Sequence, residues 1–506
     1  MTTPARPDER PRMARGAVAL AASLALAVLA GCADMSGIKT GDAKMRDAQS
    51  LGLGTQQSGE QAVRIADIDH NGIDTDWWLA FGDPQLNALI DQALKGSPNL
   101  GVARARVAKA LSTVAVARSA DLPQVGAGLD LTRQRFSENF IYPPPLGGST
   151  VNTGVLQLSG SWELDFFGKN KSAVEAAVGS ANATVADAEA ARILLTTRVA
   201  SAYIQWARLE GLQAVAQRTL AQREETLKLV HDRVSAGLDT RLELRQSESG
   251  IPEARQRMEL LTEQIALNKH ALDALVGQPG TTDKLKAPAL ENFKTVALPA
   301  HIPADLLGQR PDVVAARWRV EAATQDVAHA KSLFYPNIDL VASVGYQSLG
   351  LDELLKPGSR LWSFGPAVRL PIFQGGQLRA NLKGKNADLD AAIESYNATV
   401  LDAVRDVSDQ VSSIQSVARQ QVQQRAGQEA AEGAYDIAVQ RYRAGLGTYL
   451  NVLTAENNVL LQRRDAVDLA SRALETQVGL AHALGGGYQA PDQTAALSGK
   501  ERSTTP

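Results

Sequence analysis

The chain has 506 residues, a formal net charge of -3, few aromatic residues and a single cysteine. That balance excludes a basic nucleic-acid-binding surface, and one thiol excludes a disulfide framework, so stability has to come from burial and association. Length by itself predicts about three domains, but the long proline-free runs predict one elongated body with helices passing end to end.

Four arginines, Arg6, Arg10, Arg12 and Arg15, precede an apolar run from Gly16 to Ala30. The run is too short for a membrane span and has the layout of a secretory signal. It ends in Leu29-Ala30-Gly31-Cys32, which looks like a bacterial lipobox. There the Cys32 thiol takes a diacylglycerol, and cleavage before it exposes the amine that receives an N-acyl chain. These covalent lipids are the only prosthetic groups expected. Ala33, rather than an aspartate, fits sorting to the outer membrane. The expected segments are 1–31 signal peptide, 32–97 N-terminal periplasmic segment, 98–290 first repeat, 291–310 linker, 311–486 second repeat and 487–506 polar tail.

After a polar, Gly-rich stretch, Asp76-Trp77-Trp78-Leu79-Ala80-Phe81-Gly82-Asp83-Pro84-Gln85-Leu86 leads into a short amphipathic helix through Leu94. From Pro98 the sequence begins to copy itself. Pro98 to Pro123 aligns without a gap on Pro311 to Pro336, with eleven identities in twenty-six positions. An internal repeat sets the architecture before any single element does. Each half reads helix, proline, strand, loop, strand, long helix, turn, helix.

The strands alternate with period two. Val125, Ala127, Leu129 and Leu131 face one way, as do Leu156, Leu158, Trp162 and Leu164 after the loop from Phe136 to Thr150. The second half repeats the pattern with Ile338, Leu340, Ala342, Val344 and Tyr346, then Trp362, Phe364, Val368 and Leu370. Strands of about ten residues, apolar on one side and polar on the other, suit a transmembrane barrel with a wet lumen. A soluble sandwich would read alike. Four strands cannot close a barrel, and an open edge in hydrocarbon leaves backbone groups unpaired. A membrane reading therefore needs several chains in one barrel: two would reach eight strands, three twelve.

The long helices follow. From Val174 to Val234, alternate steps of four and three residues pass through eighteen positions, of which only Arg192, Gln213 and Arg223 are polar. A 3.5-residue repeat keeps one apolar seam against a partner helix, and Lys169 to Val234 makes a rod roughly 100 Å long. A second long helix, about Leu378 to Tyr442, carries a seam through Leu389, Ile393, Tyr396, Val400, Ala403, Val407, Ile414 and Val417 that dilutes into Gln420, Gln421, Gln423 and Gln424. The returning helices, Arg241 to Val276 and Tyr449 to Leu484, are about half as long, so Pro98 to Ala120 and Pro311 to Ser332 are expected to stack on them. Pro252 predicts a kink in the first of them.

Both long helices end in matching turns, Gly237-Leu238-Asp239-Thr240 and Gly445-Leu446-Gly447-Thr448. Glycine takes the positive φ that reverses a helix, and a threonine shortly afterwards caps the next one. Turn chemistry does not require Leu238 or Leu446, which makes them candidate docking contacts for another protein.

At this point the chain resembles the outer-membrane factor (TolC/OprM-like) family, and within it the NodT-type lipoproteins of efflux systems. The resemblance is carried by Trp77-Trp78 with Phe81 to Leu86, Arg310-Pro311-Asp312-Val313 with Ala316-Arg317-Trp318-Arg319, Phe334-Tyr335-Pro336, Leu370-Pro371-Ile372-Phe373 with Gly375-Gly376, and the paired tips. It implies a mainly α, mixed α and β fold: a homotrimer sharing a 12-stranded barrel in the outer-membrane lipid, continued by a helical barrel in the periplasm. It also implies that Gly237, Leu238, Thr240, Gly445, Leu446 and Thr448 meet a periplasmic adaptor protein coupled to an inner-membrane RND-type pump. Relatives carry acidic residues at the second tip where this chain has Asn451 and Thr454, which leaves Asp239, Arg241 and Glu243 of the first tip, with Asn451, as the candidate gate.

The function so implied is a passive exit duct for small molecules, with a type I protein secretion duct as the alternative and a non-channel structural lipoprotein as a rival of another class. An enzyme finds little support. The six histidines are scattered without ligand spacing, no phosphate loop is present, and the thiol is claimed by lipid.

Overall fold

The computed structural model describes residues 35–38, 41, 43–46, 74–294 and 309–488. The signal segment and Cys32 lie outside them, as do most of the linker and the C-terminal tail. Among the described residues no helix is long and apolar enough to cross a membrane.

The elements run α1 (Pro84–Gly96), α2 (Pro98–Ser119), β1 (Gln124–Arg135), β2 (Thr150–Glu163), α3 (Lys169–Ser235), α4 (Arg241–Val276), α5 (Pro311–Ser332), β3 (Asn337–Leu349), β4 (Arg360–Arg369), α6 (Gln377–Arg443) and α7 (Tyr449–Ala483). The helices fall within a residue or so of their expected bounds. The strands reach further from the helices than the alternation indicated: β2 starts at Thr150, because Thr150-Val151-Asn152-Thr153 continues the ladder with β1. Two compact units result: one from Ala108–Asn182 and Arg317–Glu394 with the described residues up to Lys44, the other from the described parts of Met45–Val107, Ala183–Ala316 and Ser395–Pro506.

The first unit holds a four-stranded antiparallel sheet in the order β1-β2-β3-β4. Directly paired residues share a face, so the register tests the alternation strand against strand. One row is Ala127, Leu158, Val344 and Trp362, and the next toward the helices is Val125, Gly160, Ala342 and Phe364. The opposite face carries Gly128, Gln157, Gly345 and Leu361, then Gly126, Ser159, Ser343 and Ser363. All four strands therefore agree on one apolar face. That face is bare within the chain, with Val125, Leu129, Trp362 (79% exposed) and Phe364 open to the surroundings. Beside the sheet, α5 packs so closely on α3 that a Cβ on Gly179 would lie 3.1–3.2 Å from Ala322, while Val327, Ala330, Phe334 and Leu382 form a small core covered by Met35 and Ile38.

The second unit is built on a larger core. Trp77, Trp78, Phe81, Leu86, Ile90, Val199, Tyr203, Ile204, Trp206 and Leu272 are all buried there. α3 is buried on more than one face at this level, since Ala200, Tyr203, Ile204 and Ala207 flank the seam positions Val199, Trp206 and Leu209. The single stripe thus understates the middle of the helix, where the N-terminal segment covers a second side. The Asp83-Pro84-Gln85 motif has a local explanation. Asp83 caps α1 by accepting from the backbone N–H groups of Gln85 (2.8 Å) and Leu86 (3.1 Å), and its second oxygen accepts from the Tyr203 hydroxyl at 3.2 Å. Burial, then the Asp83 charge, pushes the Tyr203 pKa well above its ordinary value. Arg310 works similarly at the other repeat. Its buried guanidinium donates to the Ala483 carbonyl at the end of α7 (3.1 Å) and to Asp312 (2.8 Å).

The close approach at Gly179 gives a direct test. Gly179→Leu forces α3 and α5 apart, and overpacking of this kind costs about 1–3 kcal/mol. Thermal unfolding of the purified protein is expected to fall accordingly, and an unchanged midpoint would show that the two helices do not pack there.

Candidate functional site

The candidate site is the pair of turns joining α3 to α4 and α6 to α7. In each, the backbone closes by the same two bonds. Gly237 N–H donates to Val234 C=O (3.1 Å) and Leu238 N–H to Arg233 C=O (2.9 Å); Gly445 N–H donates to Tyr442 C=O (3.1 Å) and Leu446 N–H to Arg441 C=O (2.8 Å). With Gly237 at φ 72° and Gly445 at φ 71°, both are Schellman C-caps. Such caps usually rest an apolar residue on the helix they end, but here the opposing positions are Arg233 and Arg441. Leu238 and Leu446 are therefore left 64% and 69% exposed, and stapling of the turn does not account for them.

The starts of the returning helices differ. Thr240 makes a full capping box: its hydroxyl accepts from Leu242 N–H at 3.1 Å, and Glu243 accepts from Thr240 N–H at 2.9 Å. Thr448 occupies the equivalent position without a side-chain cap bond, contrary to the expectation from the shared motif. The residue three positions on is Asn451 rather than a glutamate, so the reciprocal half of a box is lacking.

Two of the candidate gate charges, Asp239 and Glu243, have partners inside the chain. Asp239 takes a forked pair from Arg233, at 2.9 Å from Nε and 3.3 Å from Nη2, and also accepts from the Tyr442 hydroxyl. Arg233 donates in turn to the Tyr442 carbonyl at 2.9 Å and lies 4.5 Å over its ring. Tyr442 is fully buried, with Val230, Tyr449 and Val452 around it. Burial pushes the Asp239 carboxyl up, but the hydrogen bonds from Arg233 and Tyr442 outweigh it and hold its pKa below the ordinary aspartate value. Glu243 is engaged in the capping box, while Arg241 and Asn451 are exposed.

A second polar cluster lies on α3 ten residues before Arg233. Arg223 meets Glu456 of α7 (3.4 Å), Glu253 of α4 (2.9 Å) and the Gly250 carbonyl (2.8 Å) beside a cavity of about 270 Å³. Helix α4 stays helical through Pro252, and the Arg223 contact to the Gly250 carbonyl braces it two residues before the proline. Burial pushes the Glu456 carboxyl up, and Arg223 offsets only part of that. Neither cluster was assembled from the sequence. The available signal was Arg223 itself, one of three polar residues in an otherwise apolar seam.

Known proteins share the sequence and the fold that carry these turns. A family model described as Outer membrane efflux protein matches residues 89–278 and 302–486. The fusaric acid resistance protein FusA of Burkholderia cepacia is 41% identical over 379 residues, covering 74% of this chain and 70% of that protein. The multidrug resistance outer membrane protein MdtP of Escherichia coli (strain K12) is 33% identical over 449 residues, covering 86% of this chain and 92% of that one. The crystal structure of the outer membrane protein VceC from Vibrio cholerae superposes with a TM-score of 0.78 at 35% identity, over 82% of this chain and 100% of that chain.

The Arg233–Asp239 pair predicts a coupled energy. Asp239→Asn is expected to lower stability by about 1–3 kcal/mol at neutral pH, because it leaves a largely buried guanidinium without its counter-charge. Since the folded-state pKa is depressed, this contribution is present above the ordinary aspartate range and is lost as the pH falls through the folded value. Denaturant unfolding at neutral and acidic pH reads both effects, and a double-mutant cycle with Arg233→Gln showing simple additivity would separate the two residues.

Proposed function

The chain belongs to the outer membrane efflux protein family, and from that premise we propose that it forms, as a homotrimer anchored through lipid on Cys32, the passive exit duct of a tripartite pump. One observation carries the assembly. The sheet has a single apolar face across all four strands, and among the described residues its edges β1 and β4 have no strand partner. Three copies joined edge to edge supply twelve strands, with every backbone group paired, the apolar face in lipid and the serine- and glycine-rich face around water.

The internal repeat supports the same conclusion. Helices α2 and α5 carry one duplicated sequence, and both bury the aligned pairs Leu100/Val313 and Val114/Val327, but α5 also buries Val314, Val320 and Ala315 while α2 leaves Val102, Leu111 and Val116 exposed. A neighbouring copy is the occupant that would give α2 the cover α5 already has. The duct has no catalytic step, and solute moves down its gradient once the tips separate. The names of FusA and MdtP, fusaric acid resistance and multidrug resistance, favour small-molecule cargo over protein.

The exposed Leu238 and Leu446 are the contacts for a periplasmic adaptor that couples the tips to an RND-type pump in the inner membrane. In the resting state, the Arg233–Asp239–Tyr442 network holds the first hairpin against the second.

Two measurements test this reading. Cysteines placed by Leu238→Cys or Leu446→Cys are expected to cross-link to a periplasmic adaptor in cells, and failure with every adaptor present would remove the docking assignment. Asp239→Asn is expected to raise the resting conductance of the protein in a planar bilayer, and an unchanged conductance would mean that the network does not hold the tips shut.

A further inference from the structure

The apolar face of the sheet does not end alike at its two ends. By chain connectivity, the end bearing Gln124, Glu163, Asn337 and Arg369 adjoins the helices, and the end bearing Arg135, Thr150, Leu349 and Arg360 points away from them. Along the unbroken register, odd-numbered residues of β1 share the apolar face with even-numbered residues of the other strands. Following that face away from the helices, Ala127, Leu158, Val344 and Trp362 give way to Leu129, Leu156, Tyr346 and Arg360. Leu131 follows, and then come Arg133 paired with Asn152 and Arg135 paired with Thr150. Three arginines thus stand on the side of the sheet read as lipid-facing, all toward the end remote from the helices.

Their partners do not explain them. Among the described residues neither Arg133 nor Arg360 forms a salt bridge, and the Arg135–Glu138 pair at 3.3 Å is exposed on both sides. Such a pair is weak and readily exchanged. Lys356, in the nearby β3–β4 loop, is paired with Glu353. A charged residue on the lipid side of a barrel is strongly disfavoured at mid-depth and tolerated near the interface, so these arginines mark where hydrocarbon ends. A guanidinium there offers forked donors that match phosphate oxygens.

Resting on the reading of the sheet as a membrane barrel, we propose that Arg133, Arg135 and Arg360 form a binding site for the phosphates of a bis-phosphorylated glycolipid, lipid A, in the outer leaflet. The charge argues for that ligand over a zwitterionic phospholipid. Two unpaired guanidiniums and a third in a loose pair call for a polyanion, whereas a headgroup with its own ammonium is already neutral. The site is also composite. Arg133 and Arg135 lie on edge strand β1 and Arg360 on the opposite edge strand β4, so in a ring of copies the β1 arginines of one chain come beside the Arg360 strand of the next.

The test uses the full-length protein purified in detergent, with bis-phosphorylated lipid A, monophosphorylated lipid A or phosphatidylglycerol added, and retained lipid read by native mass spectrometry. Wild-type protein is expected to prefer the bis-phosphorylated form by about tenfold. Arg133→Gln combined with Arg360→Gln is expected to abolish that preference, and Arg133→Lys with Arg360→Lys to restore part of it. Equal retention of all three lipids by the wild type, which needs no variant to fold, would overturn the proposal, as would a Gln pair that still prefers bis-phosphorylated lipid A. The oligomeric state read in the same native mass spectra separates the two readings. A wild type that is not a trimer defeats the shared-barrel assignment whatever lipid it retains, whereas a trimer without lipid preference defeats only the site.

Discussion

The constraint on which everything else depends is the pairing of backbone groups along two strand edges. Among the described residues, β2 and β3 are bonded on both sides, but β1 and β4 each present an outer row of N–H and C=O groups that no strand pairs. In water such an edge is a liability, and in hydrocarbon each orphaned group costs several kcal/mol. The apolar face has the same incompleteness: Trp362, Phe364 and Val125 have no cover from the chain that carries them. A sheet with one greasy face and two raw edges is a fragment of a closed surface. Closure, lipid exposure and oligomerisation are therefore one requirement.

The internal duplication answers that requirement only halfway. Two copies of a helix–strand–strand–helix unit give four strands and two long helices, but the copies settle into different surroundings. The descendant α5 is pinned by Arg310 at its start and by the close contact of Ala322 with Gly179 further along. Its sibling α2 begins at Ser97-Pro98-Asn99, with no arginine in place of Arg310, and leaves Val102 and Val116 in the open while burying Val114. Quasi-equivalence of this kind lets one sequence supply both an internal interface and an external one, provided that the number of copies closes the ring.

How much of this was legible in the sequence follows from the range of each interaction. Helix bounds were readable because they rest on local signals: Thr240 with Glu243, Gly237 and Gly445 at positive φ, Pro98 and Pro311 at first turns. The sheet faces were readable because period-two alternation is local to each strand, and the register then only had to agree. The outer strand ends were not, since Thr150 to Thr153 carry no alternation and are held by pairing with β1. The tip network was invisible for a different reason. Asp239 and Tyr442 are separated by 203 positions, and no pattern in either segment points to the other, so the sequence offers Asp239 as a free charge where the fold makes it a half-buried, bonded one. The absent cap at Thr448 goes against the shared tip motif because Asn451 stands where a glutamate would complete the box.

The polar character of the contacts between the two hairpins bears on how a duct could open. An apolar seam such as Val400, Ala403 and Val407 against Leu480 and Leu484 is held by burial, and separating it exposes hydrocarbon to water without compensation. Near the tips the contact changes kind. Arg233 with Asp239 and Tyr442, and Arg223 with Glu456 and Glu253, are bonds whose members can exchange partners with water, and their net worth is small because desolvation offsets much of the attraction. Burial raises the pKa of Glu456 even with Arg223 beside it, so the ionised carboxylate is held there at a cost that hydration would relieve. An assembly that must stay sealed at its middle and part at its end needs this gradient: a hydrophobic interface where movement would be ruinous, and a charged, directional one where two arrangements of similar free energy must both be reachable. The same α3 helix provides both, burying Val199 and Leu209 in an apolar stretch and bringing Arg223 and Arg233 to the contacts nearer the tip.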